Sequence, residues 1–228
     1  MRRARRRGLA HEAADRVREA ILEGRVPPGS ALREVELAAS LEVSRGSVRE
    51  GLAILEREGL VRSEWHRGTR VIELTTDDVN EVYAVRAALE RLATTLAARR
   101  MTPERTAELH TLVDAMEQAL CVDADGPTLL ALDLAFHDRI YDTAANSRLT
   151  TSWRGLRSQV HLFQAARTRL DRERYRSTVV AEHRALIRHL SGGATDVLAQ
   201  AAEEHVDSAR RALLDVLPGV APTEGAPG

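Results

Sequence analysis

The apolar residues of this chain change from helical to alternating spacing between residues 32 and 71, and this change constrains the fold more than any other feature. Two short apolar helix faces come first, one formed by Leu37, Ala38 and Leu41 and the next by Val48, Leu52 and Leu55. Val43 lies at the bend between them, and residues 60–62 and 69–72 then alternate as two short strands. The segment is therefore predicted to form a helix, a tight turn, a second helix and a β-hairpin.

The second helix has a polar face that suits DNA. Ser44 is placed to cap this helix, because its hydroxyl can accept a hydrogen bond from an amide that the first turn leaves unpaired. Ser44, Arg45, Ser47 and Arg49 lie near the N-terminal end of the helix, where recognition helices of this motif contact base edges. Since arginine can pair with both guanine acceptors in the major groove, these four side chains are predicted to bind DNA.

The β-hairpin supplies a second predicted contact with DNA. Gly59 ends the preceding helix, and His66, Arg67 and Gly68 form the turn between the strands. Gly68 can adopt the positive φ that a tight turn needs. With His66 and Arg67 in the same turn, the hairpin is predicted to form a basic wing. The alternative is a solvated helical hairpin with ordinary surface arginines, but the helix, the turn, the cap and the wing all agree with DNA binding.

At these residues the chain resembles the winged helix-turn-helix domain of the GntR-like transcription regulators. The matching positions are 28–29, 32, 34, 36–38, 43–45, 48–50, 52, 55, 58–61 and 68. The chain departs from the family pattern at Gly46, where Thr or Ser is common, at Gly51, where Ala or Val is usual, and at Val35, where many members carry an Arg that contacts DNA. Each glycine is expected to loosen the helix by about 1 kcal/mol relative to Ala.

Length and charge indicate two domains with different partners. Through Thr75 the sequence has 15 Arg against 12 Asp and Glu, and beyond it 18 against 22, with no Lys anywhere. The positive N-terminal part suits double-stranded DNA. We predict a flexible basic arm at residues 1–9, a winged helix-turn-helix domain at 10–75, an all-helical domain at 76–217 and a disordered tail at 218–228. The arm could bind phosphate or a minor groove, or could simply add charge.

The cysteine content and the hydropathy pattern point to the cytoplasm. Cys121 is the single cysteine, so no internal disulfide can form, which is typical of proteins in a reducing compartment. No apolar run approaches the length of a membrane span. A cytoplasmic protein without membrane contacts is therefore expected.

From residue 77 onward the periodicity is helical and strand signals are absent. Helices are predicted at residues 77–100, 103–120, 127–145, 148–168, 176–190 and 195–217. Short connections favour antiparallel packing, so the predicted fold class is mainly α, with a winged helix-turn-helix domain followed by an antiparallel all-α bundle. With 3% aromatic residues, the bundle core should consist mostly of Leu, Ala and Val, and its interior can hold a ligand.

Four polar residues interrupt the apolar stripes of this bundle. Asp133 and His137 are four positions apart on one inward helix face, and His183 and His205 fall within the apolar stripes of two further helices. A buried carboxylate is costly unless its charge is compensated, and a divalent cation bound by one Asp and three neutral imidazoles would compensate it. Zinc is the first choice, with nickel, manganese and iron as alternatives. Taken singly, each histidine would more often be an ordinary core residue.

The same segment resembles the all-helical ligand-binding domain of the FadR-type branch of the GntR-like regulators. The matching residues are 86–90, 133–137, 146, 149, 182–186 and 205. The resemblance covers residues 10–217 and implies that Asp133, His137, His183 and His205 bind a metal, and that the domain senses a small carboxylic acid. It argues against a long acyl-CoA effector, because members that respond to acyl-CoA lack the full metal set.

Three residues are predicted to contact this effector. The resemblance implies that Arg86 faces the cavity and pairs with an effector carboxylate, a geometry that guanidinium serves well. The alternative for Arg86 is an i,i+4 ion pair with Glu90 on the helix surface. His161 and Gln164 could line the cavity from a neighbouring helix.

Together these features favour a ligand-switched transcriptional regulator that binds an inverted-repeat operator as a homodimer, and the family resemblance implies repression that the effector relieves. Effector binding at the metal would move the two DNA-binding domains relative to each other. A metal-dependent hydrolase is an alternative, because a metal with an open position can activate water. However, Glu182 adjoins His183 and points about 100° away from it, which leaves no convincing base. A pure metal-ion sensor is the third hypothesis.

Overall fold

The computed structural model describes residues 4–66, 68–192 and 194–217, with side chains from residue 8 onward. The N-terminal domain contains α1 (Ala4–Leu22), β1 (Ala31–Leu32), α2 (Glu34–Ser40), α3 (Arg45–Arg57), β2 (Val61–Glu64) and β3 (Gly68–Val71). The second domain contains α4 (Thr76–Ala98), α5 (Pro103–Cys121), α6 (Gly126–Ala144), α7 (Ser147–Leu170), α8 (Arg172–Gly192) and α9 (Thr195–Leu214). This architecture confirms the predicted mainly α fold.

The helix-turn-helix is formed by α2 and α3, and α1 packs across α3. At this crossing, a Cβ atom on Gly51 would come within 2.9 Å of the carbonyl oxygen of Ala10. The glycine that departs from the family pattern therefore allows two helices to approach closely, in addition to any loosening of its own helix.

A three-stranded antiparallel sheet with the order β1-β3-β2 completes the N-terminal domain. In the hairpin, Val61 pairs with Val71 and Glu64 pairs with Gly68. Leu32, Val61 and Val71 are buried in the same core as the apolar residues of α3. The sheet thus closes the small core and leaves the hairpin tip projecting as the predicted wing.

The helices of the second domain begin where the sequence provides capping side chains. Thr75, Thr102, Asp125 and Asn146 accept hydrogen bonds from first-turn amides of α4, α5, α6 and α7, respectively. Each cap satisfies a donor that the helix itself leaves unpaired. All of the helices predicted for this domain are present, with ends within a few residues of the predicted positions.

The bundle core consists mostly of Leu, Ala and Val, as expected, but it also contains most of the aromatic residues. Although they are few, six of the seven are buried in the helical domain, namely Tyr83, Phe136, Tyr141, Trp153, Phe163 and Tyr175. Phe136 contacts the rings of His137 and His183 edge-on, with centroids 5.6 and 4.6 Å apart. Phe136 and Trp153 thus lie beside the predicted metal ligands, and aliphatic residues fill most of the rest of the core.

Helix α7 links the two domains. Ser158 donates a hydrogen bond to Glu58 at 3.1 Å, and Arg169 donates one to the carbonyl oxygen of Leu22 at 3.2 Å. Glu58 also accepts bonds from two guanidinium nitrogens of Arg18, at 2.8 and 2.6 Å. Glu58, at the end of α3, is therefore held from both domains.

The two ends of the chain were both predicted to lack fixed structure. Helix α1 begins at Ala4, so residues 4–9 of the predicted flexible arm are helical, because Ala and Arg are good helix formers and extend the helix that packs on α3. Residues 1–3 and the tail at 218–228 lie outside the described residues. Across the described ranges, no helix is both long and apolar enough to cross a membrane.

Candidate metal centre and DNA-binding face

The structure brings the four predicted metal ligands together inside the helical domain. His137 on α6, His183 on α8 and His205 on α9 each offer a ligand atom, and these atoms all lie within 4.8 Å of one another. Asp133 lies one turn before His137, and its Oδ1 atom is 3.1 Å from Nε2 of His183. His137, His183 and Asp133 are almost completely buried. Three helices thus supply one carboxylate and three imidazoles to a single site.

Hydrogen bonds on the outer side of two rings orient their inner nitrogens. Nδ1 of His183 donates to the carbonyl oxygen of Val179 at 2.7 Å, and Nδ1 of His137 donates to Oε1 of Glu90 at 2.7 Å. Each ring then presents the lone pair of Nε2, and Nε2 of His183 has no hydrogen-bond partner. Metal-binding histidines typically donate their other N–H to a carboxylate or a carbonyl in this way. The donor set therefore fits a divalent metal ion.

The electrostatics of the site favour an ionised Asp133 and a neutral His205. Burial alone would raise the pKa of Asp133, but its contact with His183 and the charges of His137 and Arg86 hold it well below the usual range. Burial lowers the pKa of His205, and the neighbouring His183 and His137 lower it further. Asp133 is thus an anion and His205 a neutral ligand at neutral pH.

Arg86 faces the interior, so the surface ion-pair interpretation of Arg86 and Glu90 was wrong. Both side chains are 0% exposed, and Nη2 of Arg86 donates to Nε2 of His137 at 3.2 Å. Glu90 also faces inward and bonds His137. Burial opposes the ionisation of Glu90, yet the charges of His137 and Arg86 keep its pKa below the usual value. An i,i+4 spacing on α4 places both groups on one face, and packing against α6 makes that face internal.

Several polar atoms around the site are buried without partners. They include Nε and Nη1 of Arg86, Oδ2 of Asp133, Oε2 of Glu90, and the hydroxyls of Tyr83, Tyr141 and Tyr175. These three are all of the tyrosines in the chain. Buried polar groups are nearly always hydrogen-bonded in folded proteins. Their concentration beside one cluster of histidines indicates a site built for a polar ligand.

The two remaining predicted effector residues occupy different environments. Gln164 is 2% exposed and accepts a bond of 3.4 Å from Arg167 in the interior. His161 instead lines a cleft of about 860 Å³ between α1 and helices α6 and α7. Burial and the charge of Arg157 lower the pKa of His161 to about 4. The structure therefore places Gln164 in the interior and His161 between the domains.

The predicted recognition helix presents its two arginines to solvent. Ser44 caps α3 as predicted, accepting from the amide of Ser47 at 3.1 Å. The hydroxyls of Ser44 and Ser47 are 2.9 Å apart and Ser47 is only 4% exposed, so Ser47 supports the cap rather than presenting its hydroxyl. The side chains of Arg45 and Arg49 are 62% and 68% exposed. Arg49 donates two hydrogen bonds to Glu34, at 2.8 and 2.7 Å.

The wing ends in a turn with unusual backbone conformations. His66 and Gly68 have φ values of 64° and 74°, which confirms the positive φ expected at Gly68. Arg67 lies outside the described residues. Trp65, which the sequence interpretation did not single out, is 87% exposed and contacts the ring of His66 at a centroid distance of 5.1 Å. The wing thus projects an aromatic pair into solvent.

Comparison with known proteins matches both parts of the chain. Residues 9–71 match the family described as bacterial regulatory proteins, gntR family, and residues 81–208 match the FCD domain. The "Probable D-xylose utilization operon transcriptional repressor" of Paenarthrobacter nicotinovorans is 33% identical over 152 residues, or 67% of this chain and 66% of that protein. The gluconate operon transcriptional repressor of Bacillus licheniformis is 26% identical over 204 residues, or 88% and 83%. McbR/YncC of E. coli shares the fold, with a TM-score of 0.76, 20% identity and coverage of 91% of this chain and 97% of that one.

Proposed function

Because the chain belongs to the gntR family of bacterial transcriptional regulators and carries an FCD domain, we propose that it represses transcription as a dimer on an inverted-repeat operator. A small carboxylate bound beside a metal ion would release it. The family and the named relatives are transcriptional regulators rather than enzymes, so the hydrolase hypothesis is set aside. Two relatives are named as operon repressors, which supports repression rather than activation.

Arg45 and Arg49 are the residues proposed to contact bases. Both are exposed near the N-terminal end of α3, where recognition helices enter the major groove. In the free chain Arg49 is paired with Glu34, and this pair must open or be shared when DNA binds. Because an exposed ion pair contributes about 0–1 kcal/mol and a good bidentate base contact about 1–3 kcal/mol, DNA can displace Glu34.

The proposed metal is held by Asp133, His137, His183 and His205, with zinc first and nickel, manganese or iron as alternatives. When bound, the ion supplies a positive charge that attracts the carboxylate of the effector. Arg86 donates to the ligand His137 at 3.2 Å and has two further nitrogens without partners. A carboxylate in front of Arg86 would accept those donors in the fork geometry of guanidinium. This buried, partly unpaired guanidinium beside three converging imidazoles is the observation that carries the proposal.

Exposed apolar residues on the outer face of the helical domain support the proposed dimer. Val85 and Leu92 on α4 are 52% and 46% exposed, and Val197 on the adjacent α9 is 50% exposed. Val85 and Leu92 are seven positions apart and so share one face of α4. Large exposed apolar residues on one face mark interaction sites. Pairing through this face would join two DNA-binding domains with two-fold symmetry, which an inverted repeat matches.

The proposal is tested by operator release in the purified full-length protein. A panel of small organic acids is titrated onto the operator complex, with and without a chelator, for the wild type and for Arg86→Ala. We expect release by an acid, dependence of that release on metal, and an Arg86→Ala protein that binds operator but does not respond. Release by the chelator alone would identify a metal sensor instead, and an unchanged response of Arg86→Ala would overturn the effector site.

The metal ligand set is tested separately by elemental analysis. His183→Ala and His205→Ala should each lose bound metal, whereas His189→Ala, which changes a histidine six positions further along α8, should retain it. Unchanged metal content in the first two variants would refute the assignment.

A further inference from the structure

We propose that the metal ion enters and leaves its site through a cleft between α8 and α9, and that His205 is the ligand it meets first. The inference rests on the proposed metal site and adds its route of access. A route is needed because Asp133, His137 and His183 are at most 2% exposed, so an ion in solvent cannot reach them directly. His205, on α9, is partly exposed.

The cleft has a volume of about 340 Å³ and is lined by His205 itself. It lies between two helix faces whose residues recur at helical spacing. Helix α8 contributes Glu182, Ala185, Leu186 and His189, and α9 contributes Ala201, Glu204, His205 and Ser208. Ala185 and Ala201 leave room between the helices, because each side chain is a single methyl group. A divalent ion with six waters, each of about 30 Å³, is smaller than this cleft and can approach His205 from solvent.

His205 is also the least constrained of the three imidazoles. Nδ1 of His137 is hydrogen-bonded to Glu90 at 2.7 Å. Nδ1 of His183 donates to the carbonyl oxygen of Val179, also at 2.7 Å. Nδ1 of His205 is buried and has no hydrogen-bond partner among the described residues. Its other ring contact, between Nε2 and Nε2 of His137 at 3.3 Å, is lost in any case when both nitrogens bind an ion. The ring of His205 can therefore turn towards an incoming ion without breaking an outer hydrogen bond.

The lining of the cleft attracts cations. Oε1 of Glu182 accepts a hydrogen bond from the hydroxyl of Ser208 at 3.3 Å, and Glu182 has no arginine partner among the described residues. The other carboxylate of the cleft, Glu204, is paired with Arg211. Glu182 thus places an uncompensated negative charge in the passage that leads to His205. Such a charge raises the local concentration of divalent ions and speeds their association.

The first test narrows the cleft and leaves the four ligands in place. Zinc-loaded, full-length protein is mixed with a chelating dye, at concentrations where the rate no longer depends on the dye, and zinc affinity is measured by competition titration. Ala201→Trp should slow release by about 10-fold or more without changing the affinity, because a narrowed passage slows entry and exit by the same factor. Ala107→Trp makes the same exchange at an exposed position of α5, which carries none of the ligands, and should release zinc as the wild type does.

The second test removes the charge of Glu182 and keeps its size. The association rate is obtained as the ratio of the release rate to the dissociation constant. Glu182→Gln should slow association about 3- to 10-fold at low ionic strength, the effect of one carboxylate a few ångströms from a divalent ion in water. Its release rate should be unchanged, and the difference should shrink at about 1 M salt. Glu203→Gln removes a carboxylate that pairs with Arg91 on the outer surface between α4 and α9, and it should change neither rate.

Three results would overturn the inference while leaving the proposed metal site intact. One is a release rate of Ala201→Trp equal to that of the wild type. Another is an Ala201→Trp protein whose affinity falls at an unchanged association rate, because the residue would then act on the bound state and not on the passage. The third is an unchanged association rate in Glu182→Gln, which decides the question if Ala201→Trp does not fold. If the wild type binds no zinc at all, the metal site itself is wrong and the inference fails with it.

Discussion

Replacing Glu90 by Gln should weaken zinc binding about 10- to 100-fold, although Glu90 is not a metal ligand. Its Oε1 atom accepts the Nδ1–H of His137 at 2.7 Å, and both side chains are 0% exposed. This contact fixes the proton on Nδ1 and leaves the lone pair on Nε2, which would bind the ion in place of the hydrogen bond from Arg86. Gln has nearly the same shape, but its amide can donate to Nδ1 and so favour the tautomer whose Nε2 is blocked.

The expected magnitude follows from the chemistry of this contact. A buried hydrogen bond to a charged group contributes about 1.5–3 kcal/mol, which corresponds to about 10- to 100-fold in affinity. Groups that orient metal-binding histidines change metal affinity over the same range when they are mutated. Both estimates therefore agree for Glu90→Gln.

The measurement is a competition titration of zinc against a chelating dye, made on full-length protein freed of metal. Glu203→Gln is the matched control, because Glu203 accepts a hydrogen bond from Arg91 at 2.9 Å on the outer surface between α4 and α9. The control should bind zinc as the wild type does. Equal zinc affinity for the wild type, Glu90→Gln and Glu203→Gln would refute the role assigned to Glu90.

Three further predictions test the remaining parts of the molecule. Arg49→Ala should cost about 1–3 kcal/mol of operator affinity measured by fluorescence anisotropy, whereas Arg57→Ala, an exposed arginine at the other end of α3, should cost much less; equal losses would remove Arg49 from the base contacts. Gly51→Ala should lower the free energy of unfolding by about 1–3 kcal/mol, because its Cβ would come within 2.9 Å of the Ala10 carbonyl oxygen. Gly46→Ala, whose Cβ would meet only Ser44 Oγ at 3.7 Å, should raise the free energy of unfolding by up to about 1 kcal/mol. Urea denaturation measures both variants, and changes of the same sign for Gly51→Ala and Gly46→Ala would contradict this account. His161 has a pKa of about 4 in the folded chain and about 6.5 in the unfolded chain. The contribution of His161 to the free energy of unfolding is therefore fully present above about pH 6.5 and declines as the pH falls towards 4. His161→Gln should accordingly lose less stability than the wild type between pH 7 and 5, and an identical loss would exclude this contribution.

The sequence was sufficient to predict the features that local physics determines. The helix starts follow from capping residues such as Thr75 and Asn146, whose hydrogen bonds span a few positions. The cluster of histidines followed from polar residues within apolar stripes, since an inward position at helical spacing stays inward in any bundle.

Features that depend on packing between distant helices were missed or misjudged. Glu90 and His137 are 47 positions apart, and no local pattern links them. Arg167 lies in a basic stretch that is typical of a solvated helix end, and its burial results from Tyr175 on α8. The burial of Ser47 has a local cause instead, because its hydroxyl lies 2.9 Å from that of Ser44, three positions earlier.

Helix α7 is 24 residues long, and different residues along it contact the two domains. Positions 158 and 169 touch the N-terminal domain, whereas positions 164 and 167 face the core of the other domain. Since a helix is stiff along its axis, a shift forced between positions 158 and 169 is transmitted to both of these contacts at once. A rearrangement of the helical core at positions 164 and 167 would therefore displace the N-terminal domain as well.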